Sequence, residues 1–218
     1  MNYLLIVIFI AIAIGFIFPI ASKKYVYKKL MNYLSVGDYK SFEYYLDGVL
    51  CTFSYRPFNI EYMRLTSYMM QNDSNKIEEQ LNKIFKQLKL KSNQKASVAQ
   101  RAFYFYMEQK KYKKAKEMLS ICKESDIPEI QTMDLMFSIL GEKKSDHIKD
   151  IKDQLENLKK APDANSNQAS IVRIGVYEYL LGLQYTYLNN TKEAKKYLNS
   201  ALQHCKGTPY EKEIVALL

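Results

Sequence analysis

The segment from residue 177 to residue 201 constrains the fold most, because it reads as two helices joined by a short break. Asn189-Asn190-Thr191 interrupts the apolar pattern, and Thr191 followed by Glu193 supplies N-capping chemistry for a second helix. Apolar and small residues at helical spacing flank the break: Leu181, Gly182 and Tyr185 before it, and Ala194, Leu198 and Ala201 after it. We expect Gly182 to let two antiparallel helices approach closely.

Less complete copies of this unit recur along the chain at a spacing slightly longer than about 34 residues. The second-best copy holds Ala99, Ala102, Tyr106, Ala115, Leu119 and Cys122. Three weaker copies centre on Phe42, on Ile77, and on a helix near 130–140 paired with a helix carrying Ile151. The last segment, 210–218, is typical of a short capping helix. The scarcity of glycine (7) and proline (5) also favours helices over an all-β fold.

These residues resemble the tetratricopeptide repeat, in which Leu-Gly, Tyr, Ala, a large apolar residue and Ala recur at such offsets. The resemblance covers most of residues 25–210 and implies an all-α solenoid of about five helical hairpins. The alternative is a generic helical bundle with accidental similarity to the repeat.

The first 22 residues carry no charged side chain, and four lysines follow directly: Lys23, Lys24, Lys28 and Lys29. About 20 apolar helical residues can span a bilayer, so the pattern predicts a single transmembrane helix over residues 1–22. The lysines predict a basic juxtamembrane flank over 23–29 and, by the positive-inside rule, an outside N-terminus with a cytoplasmic C-terminal domain, 30–218. A cleaved secretory signal is the alternative for the same segment.

The sequence offers no constellation for catalysis, and we predict no catalytic, cofactor-binding or metal-binding residues. The two histidines lack partners at ligand spacing, and the three cysteines show no paired motif. The seven glycines form neither a P-loop nor a dinucleotide-binding loop. The odd number of widely spaced cysteines indicates a reducing compartment rather than a disulfide framework.

The resemblance implies that a partner binds the concave groove, lined by the first helix of each hairpin. The implied groove residues are Tyr62, Met69, Gln100, Tyr104, Met107, Tyr179, Leu183 and Tyr187. Tyrosine and methionine suit an extended or helical peptide with apolar side chains. Packing between repeats is the alternative role for these tyrosines.

The function that the sequence predicts is therefore a membrane-tethered adaptor that binds a partner peptide or protein and performs no chemistry. An extracytoplasmic assembly or substrate-holding factor is the second hypothesis. A polyanion-binding surface is the third, because the net charge is +9. The near absence of arginine, which usually reads bases and clamps phosphates, makes nucleic acid a poor partner.

Overall fold

The computed structural model describes residues 21–125, 127–162 and 166–218, and these residues form helices and connecting turns without a β-strand. The all-α class is therefore confirmed for the described residues. The helices are α1 (described over 21–35), α2 (Tyr39–Leu46), α3 (Val49–Ser54), α4 (Pro57–Met70), α5 (Ser74–Gln87), α6 (Ser92–Glu108), α7 (Tyr112–Lys123), α8 (Ile130–Met136), α9 (Ile148–Lys160), α10 (Gln168–Tyr187), α11 (Thr191–His204) and α12 (Tyr210–Val215).

The boundary between two compact units, Met1–Val98 and Ala99–Leu218, falls within α6. The first unit has a core around Leu30, Phe42 and Leu46, to which α1, α2 and α4 contribute. The second unit has a larger core that gathers apolar side chains from α8 to α12, including Ile151 and Leu198.

Four helix pairs close with the same turn. In each, a residue with positive φ follows the first helix, and the next residue donates its N–H to a tyrosine carbonyl five positions earlier. This is the Schellman pattern, which satisfies carbonyls left open at a helix C-terminus. The tyrosine, positive-φ residue and donor are Tyr33, Gly37 and Asp38; Tyr68, Asn72 and Asp73; Tyr106, Lys110 and Lys111; and Tyr185, Asn189 and Asn190.

The predicted pairing of the two helices around residue 189 is confirmed as the α10–α11 hairpin. A Cβ placed on Gly182 would lie 2.7 Å from Leu198 Cδ2 and Cγ, so glycine is what permits the close approach. The N-cap of α11 is one residue earlier than the sequence suggested. The side chain of Asn190, and not that of Thr191, accepts the N–H of Glu193.

The pair formed by α8 and α9 departs from the shared turn. The last residues of its first helix, Phe137–Gly141, form a π-helical turn, and Lys143 is the positive-φ residue. Lys144 N–H reaches back six residues to the Ser138 carbonyl, so this pair contains one extra residue. The chain then continues through 145–147 before α9 begins at Ile148.

The weak copy centred on Phe42 contains a break between α2 and α3. Gly48 lies between them with extended backbone angles and serves as the N-cap of α3. Glycine is about 1 kcal/mol less favourable than alanine inside a helix, which explains a break at this point.

The predicted transmembrane helix has to be corrected. Within residues 21–125, 127–162 and 166–218, no helix combines the length and the apolar character needed to cross a bilayer. The 20-residue α10 is long enough but carries Arg173, Glu178 and Gln184, which are expensive in hydrocarbon. The predicted span, 1–22, lies outside the described residues except for Ala21 and Ser22 at the start of α1. We therefore do not retain a single-pass membrane protein with a cytoplasmic domain.

Candidate protein-binding surfaces

The predicted groove residues of the first unit lie on α4. The side chains of Tyr62 and Met69 are half-buried. The ring of Tyr62 stacks on Phe58 with ring centres 5.5 Å apart. These two residues are thus placed on one helix at a partly accessible face, and their role in binding stays a prediction.

The predicted groove residues of the second unit differ in exposure. Tyr104 is exposed at 38%, whereas Met107, Tyr179 and Leu183 are buried. Gln100 and Tyr187 are half-buried. The exposed Tyr104 remains available to a partner, whereas Tyr179 already packs against other helices of its own unit.

A short helix of the same chain, α12, contacts one of these groove residues, Tyr179. The Tyr179 hydroxyl donates to Glu213 Oε2 of α12 at 2.9 Å, and the Tyr179 ring lies 5.8 Å from the ring of Tyr210. The other oxygen of Glu213 pairs with Lys110 Nζ at 3.1 Å, in the turn between α6 and α7. We call the three predicted groove tyrosines of this unit, Tyr104, Tyr179 and Tyr187, the tyrosine surface. Tyr179 is the member that contacts α12, while the Tyr187 hydroxyl donates to the Ile139 carbonyl at 3.1 Å.

Titration behaviour follows this packing. Burial, followed by the charge of Glu213, raises the pKa of Tyr179. Burial also raises the pKa of Tyr210 and of Tyr104. The hydrogen bond to Glu213 raises the pKa of Lys110. The tyrosines therefore stay neutral donors at ordinary pH, and the charged groups are Lys110 and Glu213.

The second unit also contains an open cleft of about 750 Å³ beside α7, the π-helical turn and the start of α9. Its apolar floor includes Leu119 and Phe137. On the rim, Glu142 pairs with Lys116 and Lys144 at 3.0 and 2.8 Å, and hydrogen bonds from Lys144 and then Lys116 lower the pKa of Glu142 to about 2. Asp134 and Lys123 form a further rim pair at 2.6 Å.

One edge of the cleft brings Ser138 and His147 together, with 2.8 Å between Oγ and Nε2. Asp146 Oδ1 lies 3.3 Å from the same Nε2 atom. In a Ser-His-Asp triad the carboxylate holds the other ring nitrogen, so this arrangement does not orient the imidazole as a general base. The backbone N–H of His147 donates to Gln184 of α10, which fixes the start of α9 against the next hairpin.

A buried carboxylate joins the last two hairpins. Glu178, which is 1% exposed, lies 2.6 Å from Lys159 Nζ of α9 and 2.7 Å from His204 Nδ1 of α11. Each oxygen of Glu178 therefore has its own partner, as burial of a charge requires. This arrangement positions helices and leaves Glu178 no free oxygen for a substrate.

Polar contacts of the first unit likewise tie helices together. Arg64 of α4 pairs with Glu43 and, at 2.6 Å, with Asp47 at the end of α2. Glu61 accepts hydrogen bonds from Gln80 and Lys83 of α5. Burial alone would raise the pKa of Glu61, but these bonds hold it below its usual value.

The four lysines predicted to flank a membrane lie on α1. Lys23 stands 5.5 Å above the Tyr55 ring and Lys29 stands 4.7 Å above the Tyr45 ring, while Lys24 and Lys28 are exposed. Val26 and Leu30 of the same helix are fully buried. The segment 23–29 is therefore part of an amphipathic helix that packs on the first unit.

Within the described residues, no group of three or more His, Cys, Asp or Glu side chains is arranged to hold a metal ion. Cys51, Cys122 and Cys205 are buried and form no disulfide bonds. Burial raises the pKa of both Cys122 and Cys205 to about 11, so neither is an activated nucleophile.

Comparison with known proteins gave no match to a family model, to a curated protein or to a solved structure. The tetratricopeptide resemblance accordingly remains a prediction. Sequence reasoning missed the cleft and the contact of α12 with the tyrosine surface. The spacing between Gly141 and Ile148 was the one available signal for the cleft, since it is longer than the turns of the other hairpins.

Proposed function

We propose that this chain is a protein-binding module in which the tyrosine surface of the second unit holds a segment of a partner protein. The observation that carries the proposal is the contact between this surface and α12. Tyr179 contacts α12 through both its ring and its hydroxyl group. Aromatic side chains with a polar end are enriched at protein interfaces for this reason.

The chemistry of the remaining polar groups supports a binding role. Glu178 contacts both Lys159 and His204. Arg64 is paired with carboxylates of α2 and α4. Ser138 and Asp146 both lie against the same imidazole nitrogen of His147, so these three residues do not form a Ser-His-Asp triad. Protein binding accounts for the exposed ring of Tyr104 without requiring it to react.

The proposal is tested by cross-linking in intact cells followed by mass spectrometry, comparing the wild-type chain with Tyr104→Ala. Tyr104 is the exposed member of the surface, so its removal changes the surface with little effect on the core. We expect a partner to be lost, since truncating an aromatic residue central to an interface costs about 2 kcal/mol or more.

The matched control is Tyr44→Ala, because Tyr44 is 85% exposed on α2 of the other unit. A partner that is lost with Tyr104→Ala, but retained with Tyr44→Ala, supports the tyrosine surface as the binding site. Identical partner sets for both variants and the wild type would refute the proposal. Thermal melts of all three chains establish that the comparison is between folded proteins.

A further inference from the structure

The helix α12 presents one side to the tyrosine surface and the other to solvent. Tyr210, Glu213 and Ile214 are at positions i, i+3 and i+4, which share one helix face. Ile214 is fully buried, and Glu213 lies between Lys110 and Tyr179. Lys212 and Val215 point outward and are exposed. This short helix thus supplies an aromatic ring, a carboxylate and an aliphatic side chain to one surface.

We infer that α12 is a resident occupant of the tyrosine surface, and that a partner binds there as a helix of the same chemistry after displacing it. The inference rests on the proposed function and specifies its partner. The partner segment carries an aromatic residue, a carboxylate one turn later and an aliphatic residue next to it. The cation of Lys110 and the hydroxyl of Tyr179 select the carboxylate, because both donate to the same Glu213 side chain.

Although Ile214 of α12 is buried in the core of the second unit, three other properties of this helix favour its displacement. It has six residues, and isolated helices this short are not stable in water, so its helicity depends on the surface it covers. The ion pair to Lys110 is solvent-exposed, and such pairs contribute little net stability. Gly207, with φ of +77°, lies in the five-residue connection 205–209 between α11 and α12.

Competition with α12 gives a measurable signature. If the attached helix covers the surface about nine-tenths of the time, the apparent affinity for a free helix falls about tenfold. Weakening the attached helix should therefore strengthen binding of a free one.

The probe is a fluorescently labelled synthetic peptide of residues 208–218, added to the full-length chain. In the Glu213→Lys variant, the attached helix meets Lys110 with like charge, whereas the peptide keeps its glutamate. We expect this variant to bind the peptide about tenfold more tightly than the wild type does. Adding Tyr179→Phe to the variant should reverse much of the gain, because it removes the hydroxyl that donates to the peptide.

The control for charge is Glu117→Lys, which makes the same change at an exposed position of α7 and should leave peptide affinity at the wild-type value. A second variant, Tyr210→Ala combined with Glu213→Lys, weakens two of the three contacts of the attached helix and leaves that of Ile214. If neither variant binds the peptide better than the wild type, the inference is wrong. Since no natural partner is used, this result is independent of the cross-linking test of the proposed function.

Discussion

The last two hairpins of the chain are built from the same kind of sequence but close differently. In the α10–α11 hairpin, Gly182 lets Leu198 press against the neighbouring backbone, and the shared tyrosine turn joins the helices. In the α8–α9 hairpin, a π-helical turn adds one residue and the connection is longer. The α10–α11 hairpin is closely packed, whereas the α8–α9 hairpin borders an open cleft of about 750 Å³. We call the former the sealed hairpin and the latter the open hairpin.

This comparison shows that a small difference in sequence is enough to produce a sealed hairpin or an open one. A single extra residue in an otherwise helical segment is accommodated as a π turn, and such turns are frequent at functional sites. In this hairpin the carbonyl that accepts the hydrogen bond of the turn belongs to Ser138, whereas in the other four turns it belongs to a tyrosine. Ser138 and His147 then form a polar contact at the edge of the α8–α9 hairpin, whereas the α10–α11 hairpin is closely packed.

The largest expected effect comes from closing the space at Gly182. Gly182→Val would add a side chain where Leu198 Cδ2 lies only 2.7 Å from the position that a Cβ would take, so the sealed hairpin must separate. We expect the free energy of unfolding to fall by about 3 kcal/mol, at the upper end for overpacking. Chemical denaturation measures it.

Adding Leu198→Ala to Gly182→Val should recover part of the lost stability, since it frees the volume that valine needs. Additive losses in the two substitutions would contradict the close contact. Gly141→Ala is the comparison in the open hairpin. The three atoms nearest to its Cβ all belong to the Phe137 ring, the closest at 2.9 Å, and that ring borders the cleft and can shift. We expect a smaller loss there.

Alkaline pH should destabilise the sealed hairpin (α10–α11) more than the open hairpin (α8–α9). Burial raises the pKa of Tyr179 in the folded state, so the folded chain keeps this proton while the unfolded chain loses it above a pH of about 10. Stability is therefore complete below that pH and falls above it, by up to about 1.4 kcal/mol per pH unit for each such tyrosine. The segment 130–160 has no tyrosine and gains no comparable sensitivity.

Spectrophotometric titration at the tyrosinate band, combined with denaturant melts from about pH 9 to about pH 11, checks this prediction. Tyr179→Phe should flatten the alkaline loss of stability. An unchanged slope in that variant would mean that other tyrosines carry the effect.

The polar edge of the open hairpin should matter less. Ser138→Ala removes a partner of His147, whose imidazole retains the nearby Asp146 and access to water. We expect a loss of about 1 kcal/mol, as for an ordinary hydrogen bond. Ser120→Ala is the control, because Ser120 also lines the cleft but bonds only to a carbonyl of its own helix. Equal losses in the two variants would show that the contact with His147 contributes nothing.

The smallest effect is expected at the rim. The folded-state pKa of Glu142 is lowered to about 2, so its contribution is present above the ordinary value near 4.5 and is lost as pH falls from there toward 2. Because Glu142 is exposed, water and salt screen its pairs with Lys116 and Lys144. Glu142→Gln should lower the free energy of unfolding only slightly in neutral melts, and the difference from the wild type should disappear in the acid limb, where Glu142 itself becomes protonated.

The sequence predicted what depends on local pattern. The break after Leu188, the close approach at Gly182 and the helices on both sides of residue 110 follow from apolar spacing and small residues. The N-cap was misplaced by one residue, since Asn190 and Thr191 are both good capping residues and only the backbone angles decide between them.

Long-range contacts were beyond the same reasoning. Nothing in the spacing of Tyr179 and Glu213 indicates that their side chains meet, because helix direction after Gly207 depends on a turn that composition does not specify. Likewise, the π turn at Phe137–Gly141 has no propensity signature that separates it from an ordinary helix. The candidate groove residues could be assigned to helices, but apolar spacing does not indicate which of them α12 would cover.

The repeated turn also bears on how the chain folds. Each of the four tyrosine turns is completed within six consecutive residues. Each of these helix pairs can therefore form its turn without contacts from distant parts of the chain. Helical proteins dominated by such near-neighbour contacts have low contact order and reach the native state in microseconds to milliseconds. Docking of α12 spans a longer loop, from Glu213 back to Lys110, and should be among the later steps of folding in its unit.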